Sequence, residues 1–548
     1  MLDDADVRVV WDRLVSAVNE ASRILQRSAF STLVRECNDF ACTLMTREGE
    51  TLAIADVALP SFASTQAMTL RACLEQRPAD DWRDGDIVIT NDPWIATGHV
   101  MDLTVLKPIV VEDRVVAFTG SVAHSPDLGG VQGWNAGADV YEEGLQIPPL
   151  RLYREGVPDE TLFALLRSNS RTPEQTIGDL MAQIASNETT ERRVRQILRE
   201  HTLNSLDEIA EEILGRSEAA MRAAIAAIPD GRYEYALKAD GFSGGDATDG
   251  SDPVPLEFTT VVVIRDSDVD VDLTEASPQV PASINSLHGF TYSYVVYALR
   301  LLLVAQVPQN GGFLRPIGVQ TRQGTILDAR FPAPTLNRTI VGHLVCDGIF
   351  GALSGVLPGR VWAMSGSTPI WVLILFGDDG GQRFHRIILL NGGLGANEGT
   401  DGEVGSFPAN LSNAAVEVVE ASTPVIYDCK ELIPDSGGAG RYRGGFGVRV
   451  AIRPACRTAY SIAFNRVRFP PLGLLGGLDG RRGRVLVDGS EIEPGREGVL
   501  EPGSHLVIET PGGGGLGPPA ERDRERVTRD VAEGLLSAEE ARVRYRLE

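Results

Sequence analysis

Apolar positions recur at helical spacing through residues 6–28, with Val10, Leu14, Val18 and Leu25 on one stripe. The chain therefore opens on an amphipathic helix. Residues 35–60 alternate instead and turn at Glu48-Gly49-Glu50, which predicts two short strands. Residues 64–75 read as helix, and 86–90 as a short buried strand ending in the turn Asn91-Asp92-Pro93. Two β-branched runs, 103–111 and 115–122, then flank the polar turn Glu112-Asp113-Arg114, a hairpin signal. Pro108 inside the first run must sit at a sheet edge or a bulge. In 144–154 the pair Pro148-Pro149 argues against any regular element.

Residues 173–200 and 205–228 read as helices, the second opening on a capping box, Ser205-x-x-Glu208. From Gly231 to about 275 the texture turns strand-like and acidic, including 240–252 and the alternating Val261–Val271. Residues 283–306 are apolar nearly all round, which predicts a helix buried inside the fold. Their polar first half, with Ser283, Asn285, Ser286 and His288, argues against a membrane span. Residues 337–420 mix helix, strand and glycine-rich turns, and 421–517 are strand and turn. The charged tail divides at Gly534 and carries another capping box, Ser537-x-x-Glu540. The expected class is α+β: a multi-domain mixed chain with antiparallel hairpins, a buried central helix and a β-rich C-terminal region ending in a helical hairpin. The expected divisions are 1–230, 231–420, 421–520 and 521–548.

The ends of the central hairpin carry the candidate chemistry. With the turn centred on Asp113, paired residues have numbers summing to twice 113, or 226. Asp102 then faces His124 at roughly 5 Å between Cβ atoms, and His99 folds back over the same spot. Two imidazoles and a carboxylate at one point make a candidate divalent-metal site. The plain alternative is a polar hairpin end that is only solvated or capping. Two of the seven histidines of the chain fall here.

Length and charge narrow the classes. A chain of 548 residues suggests two to four domains. No apolar run reaches membrane-span length, and the acidic first residues carry no apolar signal core, so a cytoplasmic location is expected. A net charge of −24 argues against nucleic acid or an anionic membrane as partner. The cysteines at 37, 42, 73, 346, 429 and 456 form no CxxC, so reduced thiols are expected. No GxxxxGK[ST], GxSxG or HExxH occurs, and no GxGxxG lies between a strand and a helix. No cofactor-binding residues are therefore assigned. The cluster Pro511–Gly515 can cradle an anion with its amides or be a tight loop of closely approaching backbone, the reading favoured here.

An ordered set of stretches resembles the hydantoinase B/oxoprolinase family from end to end. It comprises Phe30-Ser31 with RECNDFAC (35–42), NDPW (91–94), TGHVMDLT (97–104), AHSPDLGG (123–130), EGLQIPPLRLY (143–153) and GDLMAQIASN (178–187). The helix SINSLHGFTYSYVVYALR (283–300), PDSGGAGRYRGGFG (434–447) and TPGGGGLG (510–517) complete it. The resemblance implies a divalent metal, Zn, Mn or Fe(II), held by His99, Asp102, His124 and, in addition, Asp39. It also implies a hydantoinase A-like partner subunit that carries ATP and Mg and phosphorylates a lactam, imide or ketone substrate. This chain would then be the metal-binding subunit of an ATP-dependent cyclic-amide hydrolase within a hetero-oligomer. A ketone carboxylase subunit and a non-catalytic scaffold are the alternatives. Asp127 is the expected general base, or else a hydrogen-bond partner of His124; Asp92 is a weaker catalytic candidate that also suits turn capping. The chain departs from the common pattern at His124-Ser125, where many members carry a His pair, and at Ser61–Ser64, where many carry a His.

Overall fold

In a computed structural model, the described residues are 4–131, 137–242, 254–405, 411–493 and 497–547. The first sheet consists of β1 (Phe40–Thr46), β2 (Thr51–Ile54), β3 (Ile87–Thr90), β4 (Asp102–Val111), β5 (Arg114–His124), β6 (Leu150–Arg154) and β7 (Val157–Pro158). They hydrogen-bond antiparallel in the order β2-β1-β5-β4-β3-β6-β7. The hairpin β4–β5 is thus central. Its strands are buried on both faces almost throughout, which is why they read as continuous apolar runs rather than alternating ones.

Helix α1 (Asp4–Ser28) forms as expected and lies against the β1–β2 side of this sheet, followed by the single turn α2 (Thr32–Arg35), α3 (Pro60–Gln76), α4 (Glu160–Asn169), α5 (Pro173–Glu200) and α6 (Asp207–Ile225). Helix α3 packs Ala67, Leu70 and Cys73 on one face, against Leu106 and Phe118. Helix α5 lies on the other, where Gln183 and Asn187 donate to the carbonyls of Leu103 and Val105.

The hairpin register is the expected one, from Asp102↔His124 to Ile109↔Ala117, but two features compose it. The turn has only two residues, Glu112 and Asp113, with φ of 49° and 60°, the conformation that matches strand twist in tight hairpins. Arg114 is paired in β5 rather than in the turn, and a bulge between Ile109 and Val110 restores the register. Pro108 stands beside that bulge and beyond Leu106, the last residue paired with β3.

Three local expectations are corrected. Only the prolines of 144–154 interrupt regular structure, because Leu150–Arg154 is free to bond β3 once past them. The Ser205 box does not close: α6 starts at Asp207, whose amide is the one that meets Ser205 Oγ, at 3.3 Å. The central helix, α7 (His288–Leu303), begins five residues late. Asn285 causes this by donating to the carbonyls of Val280, Ala282 and Pro334, which holds 283–287 out of the helix in a turn and an irregular stretch.

Helix α7 is buried as expected and packs between α3 and the pair α8 (Thr339–Gly342) and α9 (Leu344–Leu353). A second sheet holds β8 (Gly231–Phe242), β9 (Val254–Arg265), β10 (Asp268–Asp272) and β11 (Ile317–Gln320), in the order β11-β10-β9-β8. The acidic stretch 240–252 lies mostly outside the described residues. After β12 (Trp371–Asp379), β13 (Gln382–Leu390) and the short α10 (Val416–Ser422), the chain supplies β14 (Val425–Leu432), β15 (Val448–Pro454) and β16 (Thr458–Ala463). Then come β17 (Arg484–Val487), β18 (Ser490–Ile492), β19 (Glu497–Leu500) and β20 (Leu506–Glu509). Sheets β13-β12-β16-β19 and β14-β15-β20-β17-β18 share one core around Trp371, Val450 and Ile508. A separate apolar cluster runs from Leu33 to Leu516 and draws on the first three expected divisions.

The glycine clusters pack backbone against backbone. The amides of Gly512, Gly513, Gly514 and Gly515 donate to the carbonyls of Arg481, Gly445, Met364 and Leu478 at 2.8–3.0 Å. They have no donor left for an anion, so the tight-loop reading holds. The tail forms α11 (Arg524–Ala532) and α12 (Ala538–Tyr545), turning at Gly534 with φ of 73°. Ser537 Oγ caps α12 by accepting from the Glu540 amide at 3.2 Å. Arg522, buried, pins the tail by pairing with Asp401 at 2.6 Å and Asp530 at 2.8 Å.

Two variants test this architecture. A Cβ at position 513 collides with the Leu394 carbonyl, and neither backbone can yield. Gly513→Ala should cost about 3 kcal/mol, read as a lower denaturant midpoint. Arg522→Met strips Asp401 of its closest ion pair and leaves buried Asp530 with Arg443 alone, and should cost a similar amount, roughly 3 kcal/mol, with α11–α12 the first segment cut in limited proteolysis. Wild-type midpoints for both would show a looser bundle and an unpinned tail.

Candidate metal centre

Register alone brings Asp102, the first residue of β4, opposite His124, the last of β5. Gly98, at φ of 94°, turns the approaching chain back over them, and a Cβ there would press within 2.9 Å of Arg338 Cδ. His99 therefore arrives beside both. Its Nδ1–H donates to the Leu336 carbonyl at 3.0 Å, which leaves the lone pair on Nε2. That Nε2 is buried, makes no hydrogen bond among the described residues and lies 2.8 Å from Asp102 Oδ1. His124 Nδ1 is 3.0 Å from the same oxygen, and the two imidazole centroids are 5.1 Å apart. The ligand atoms of His99, Asp102 and His124 all lie within 4.8 Å of one another.

Asp39, just before β1, stands beside this group. Its carbonyl accepts the His124 amide at 3.1 Å, and its carboxylate is 3.9 Å from His124 Nδ1. The other carboxylate oxygen of Asp102 accepts from Thr97 Oγ1 and, at 2.9 Å, from Arg338 Nη2. Arg338 also donates through Nε to the Thr97 carbonyl and lies 4.4 Å over the Phe290 ring. Sequence reading missed Arg338. It follows Asp102 by 236 residues, so no local spacing could reveal it.

Burial and charge set the protonation. Burial, then the Arg338 charge, pushes the His99 imidazole down to about 4, so it is a neutral lone-pair donor. Burial opposes the Asp102 carboxylate, but the neighbouring His99 imidazole, the Arg338 charge and the His124 hydrogen bond outweigh it and hold it well below the usual range. Burial also opposes charge on His124, yet the Asp102 hydrogen bond and the Asp39 charge raise it overall. Burial lifts Asp39 to about 6. The donor set suits a divalent ion: two imidazoles and a carboxylate in one group, with the Asp39 carboxylate beside them. A neutral Nε2 facing a carboxylate oxygen at 2.8 Å is a contact between two acceptors, and a cation between them relieves it.

Asp39, His99, His124 and Arg338 line a cavity of about 60 Å³, walled by apolar side chains that include Phe62, Phe290, Ile370 and Leu389. His343 and Tyr294 close its far side. Asp127 and Asp92 do not line it. Asp127 is engaged by Arg171, whose Nη1 donates to it at 2.7 Å and whose amide donates to the other oxygen. Asp92 Oδ1 accepts the Trp94 amide at 3.0 Å, a turn-capping use.

Among the described residues, no helix is long and apolar enough to cross a membrane. The chain is 30% identical over 571 residues to a Pseudomonas sp. strain NS671 protein provisionally named as the B component of a D-/L-hydantoinase, covering 99% of this chain and 95% of that one. It is 29% identical over 570 residues to the beta chain of caprolactamase from Pseudomonas jessenii, covering 99% and 96%. The crystal structure of ATP-dependent caprolactamase from Pseudomonas jessenii superposes with a TM-score of 0.89 at 28% identity, covering 100% of this chain and 96% of that one. Nucleotide-free acetone carboxylase shares the fold, with a TM-score of 0.88 at 18% identity, over 99% of this chain and 79% of that one. Residues 3–519 match the family model described as Hydantoinase B/oxoprolinase. The chain thus belongs to the hydantoinase B/oxoprolinase family.

Proposed function

We propose that this chain is the metal-binding subunit of an ATP-dependent cyclic-amide hydrolase and acts on a substrate phosphorylated by a hydantoinase A-like partner subunit. The observation that carries the reading is the buried convergence of His99, Asp102 and His124, whose ligand atoms all lie within 4.8 Å of one another, with both imidazoles lining one small cavity. His99, Asp102 and His124 hold the ion, with Asp39 as fourth donor. When bound, the ion supplies Lewis acidity and makes water more acidic. Leu336 fixes the His99 tautomer, and Thr97 with Arg338 orients Asp102. The Arg338 charge, facing the cavity, favours a phosphate or a developing oxyanion there. The apolar walls exclude bulk water, which protects an activated substrate from loss.

Similarity to an ATP-dependent caprolactamase, at 28% identity over nearly the whole of both chains, supports the hydrolytic branch. The acetone carboxylase likeness is one of fold. The ketone carboxylase alternative is separated from the hydrolase by bicarbonate dependence of ATP turnover with the partner present. The partner surface is expected near the hairpin mouth, because an activated intermediate must pass between subunits without meeting water.

Three outcomes are expected. Purified chain contains close to one equivalent of Zn, Mn or Fe by elemental analysis. Asp102→Asn and His124→Ala lose most of it with the circular dichroism spectrum intact, and Thr97→Val weakens metal affinity about 10-fold. Metal in full amount in Asp102→Asn would remove the basis of the reading. Metal affinity rises with pH through about 6, since Asp39 must shed a proton before it can donate. His124, also raised, must do the same at somewhat higher pH. Asp39→Asn should flatten the acid limb in a competition titration. Calorimetry of the isolated chain with Mg-ATP should give no binding heat, because the glycine amides are already engaged; a micromolar Kd would contradict it.

A further inference from the structure

The cavity at the metal centre, about 60 Å³, has room for an ion and a water or two. It does not hold a five-membered amide ring, still less a substituted one. A second cavity of about 170 Å³ lies against it and shares two walls, Tyr294 and His343. Tyr297, Phe350 and Trp362 line this second space, with Phe350 and Trp362 centroids 5.5 Å apart and Tyr294 and Tyr297 at 6.3 Å. It reaches toward the surface at Tyr297, Leu301 and Trp362, which are half-buried, and ends inward at the metal-side cavity.

Two features mark it as a ligand site and not a packing fault. Close-packed interiors hold few voids larger than a water, and an empty cavity of this size is destabilising. A cavity of roughly 150 Å³ with apolar walls is known to take a benzene ring. Its charge is also spoken for. Among its lining residues there is no Lys or Arg. The lining Asp347 carboxylate accepts from Arg466 at 2.7 Å and from Thr368 at 3.1 Å. Nothing is left to pair a carboxylate on the ligand, while the aromatic walls suit a flat or branched apolar group.

We infer that this second cavity receives an apolar, ring-sized substituent of the substrate, aryl or branched alkyl, and that the ring to be opened lies at the junction formed by Tyr294 and His343. The inference rests on the cyclic-amide reading above. It assigns substrate selection to the walls of α7 and α9 and to Trp362, apart from the residues that hold the metal. Substrates bearing a free carboxylate at that position are disfavoured because no lining Lys or Arg pairs it and water must be stripped from the ligand.

The test uses the full chain and five probes: hydantoin, 5-benzylhydantoin, 5-(naphthylmethyl)hydantoin, hydantoin-5-acetate and toluene. Calorimetry should give 5-benzylhydantoin at least a tenfold lower Kd than hydantoin, with hydantoin-5-acetate the weakest. Toluene should raise Tm and compete with 5-benzylhydantoin. Cys346→Phe, which fills the cavity, should abolish the benzyl preference at unchanged metal content. Trp362→Ala should shift the preference toward a naphthylmethyl group. Should Cys346→Phe not fold, xenon-pressurised crystals of the native chain test the cavity directly, with xenon expected in the space lined by Tyr297, Phe350 and Trp362 and its absence there counting against the inference. Equal affinities for hydantoin and 5-benzylhydantoin, or a benzyl preference untouched in Trp362→Ala, would overturn the inference. Failure of the hydrolase reading shows separately, as no ATP-dependent ring opening with the partner present while the benzyl preference persists.

Discussion

The structure is arranged around one carboxylate that water does not reach. Asp102 is 0% exposed and accepts or faces four groups: Thr97, Arg338, His99 and His124. A charged carboxylate in such a place is strongly unfavourable unless its lone pairs are filled and its charge is compensated. Each compensating group makes its own demand on the fold. His124 needs the hairpin register, His99 and Thr97 need the left-handed Gly98 between them, and Arg338 needs the segment after residue 335 to come back against the first sheet. Removing any one of these leaves the others packed around a charge with too few partners. Far parts of the chain are coupled to the hairpin mouth through that requirement.

How much of this the sequence displays depends on the range of the interaction. Hairpin, register and the meeting of Asp102 with His124 are local, and hydrophobic patterning exposes them. Even there the agreement came through compensation, since the two-residue turn at Glu112-Asp113 and the bulge after Ile109 shift the pairing in opposite senses. The start of α7 depended on where Asn285 places its side chain, 49 residues from one of its acceptors, Pro334, and composition does not specify that. Asp127 shows the limit most plainly. Three residues from His124, it looks like a neighbour of the centre, but the chain turns after β5 and delivers its carboxylate to Arg171 instead. Spacing along an irregular segment does not say which way a side chain points. Arg338 and His343 carry no signal at all, because their partners lie far away along the chain.

The glycine clusters teach a related point about donors. A run of glycines suggests an anion cradle because free amides can converge there. In this chain the amides of 512–515 are already bonded to other backbone carbonyls, and the missing side chains serve close approach of one strand to the next. A Cβ on Gly444 would meet the Gly513 carbonyl and one on Gly513 the Leu394 carbonyl, so neither is tolerated. The same composition thus serves packing or binding according to where the carbonyls are. Only three-dimensional proximity separates the two.

The position of the proposed centre between two structural layers has a consequence for how it can change. Its donors all come from the first sheet and the loops at its mouth, while the walls beyond it come from α7, α9 and the segment around Trp362. Substituting a wall residue such as Phe350 alters volume and shape without touching a bond to Asp102. Substituting Arg338 or Tyr294 does not have that freedom, since both face the metal-side cavity as well. Tyr294 and His343 are therefore the narrow point where selection and chemistry meet. Changes of substrate should accumulate on the outer side of that pair, at Tyr297, Phe350 and Trp362, and the donor set should persist on the inner side. The physical reason is that an apolar wall can be repacked at modest cost, whereas a buried ionic cluster fails as a unit when one member is removed.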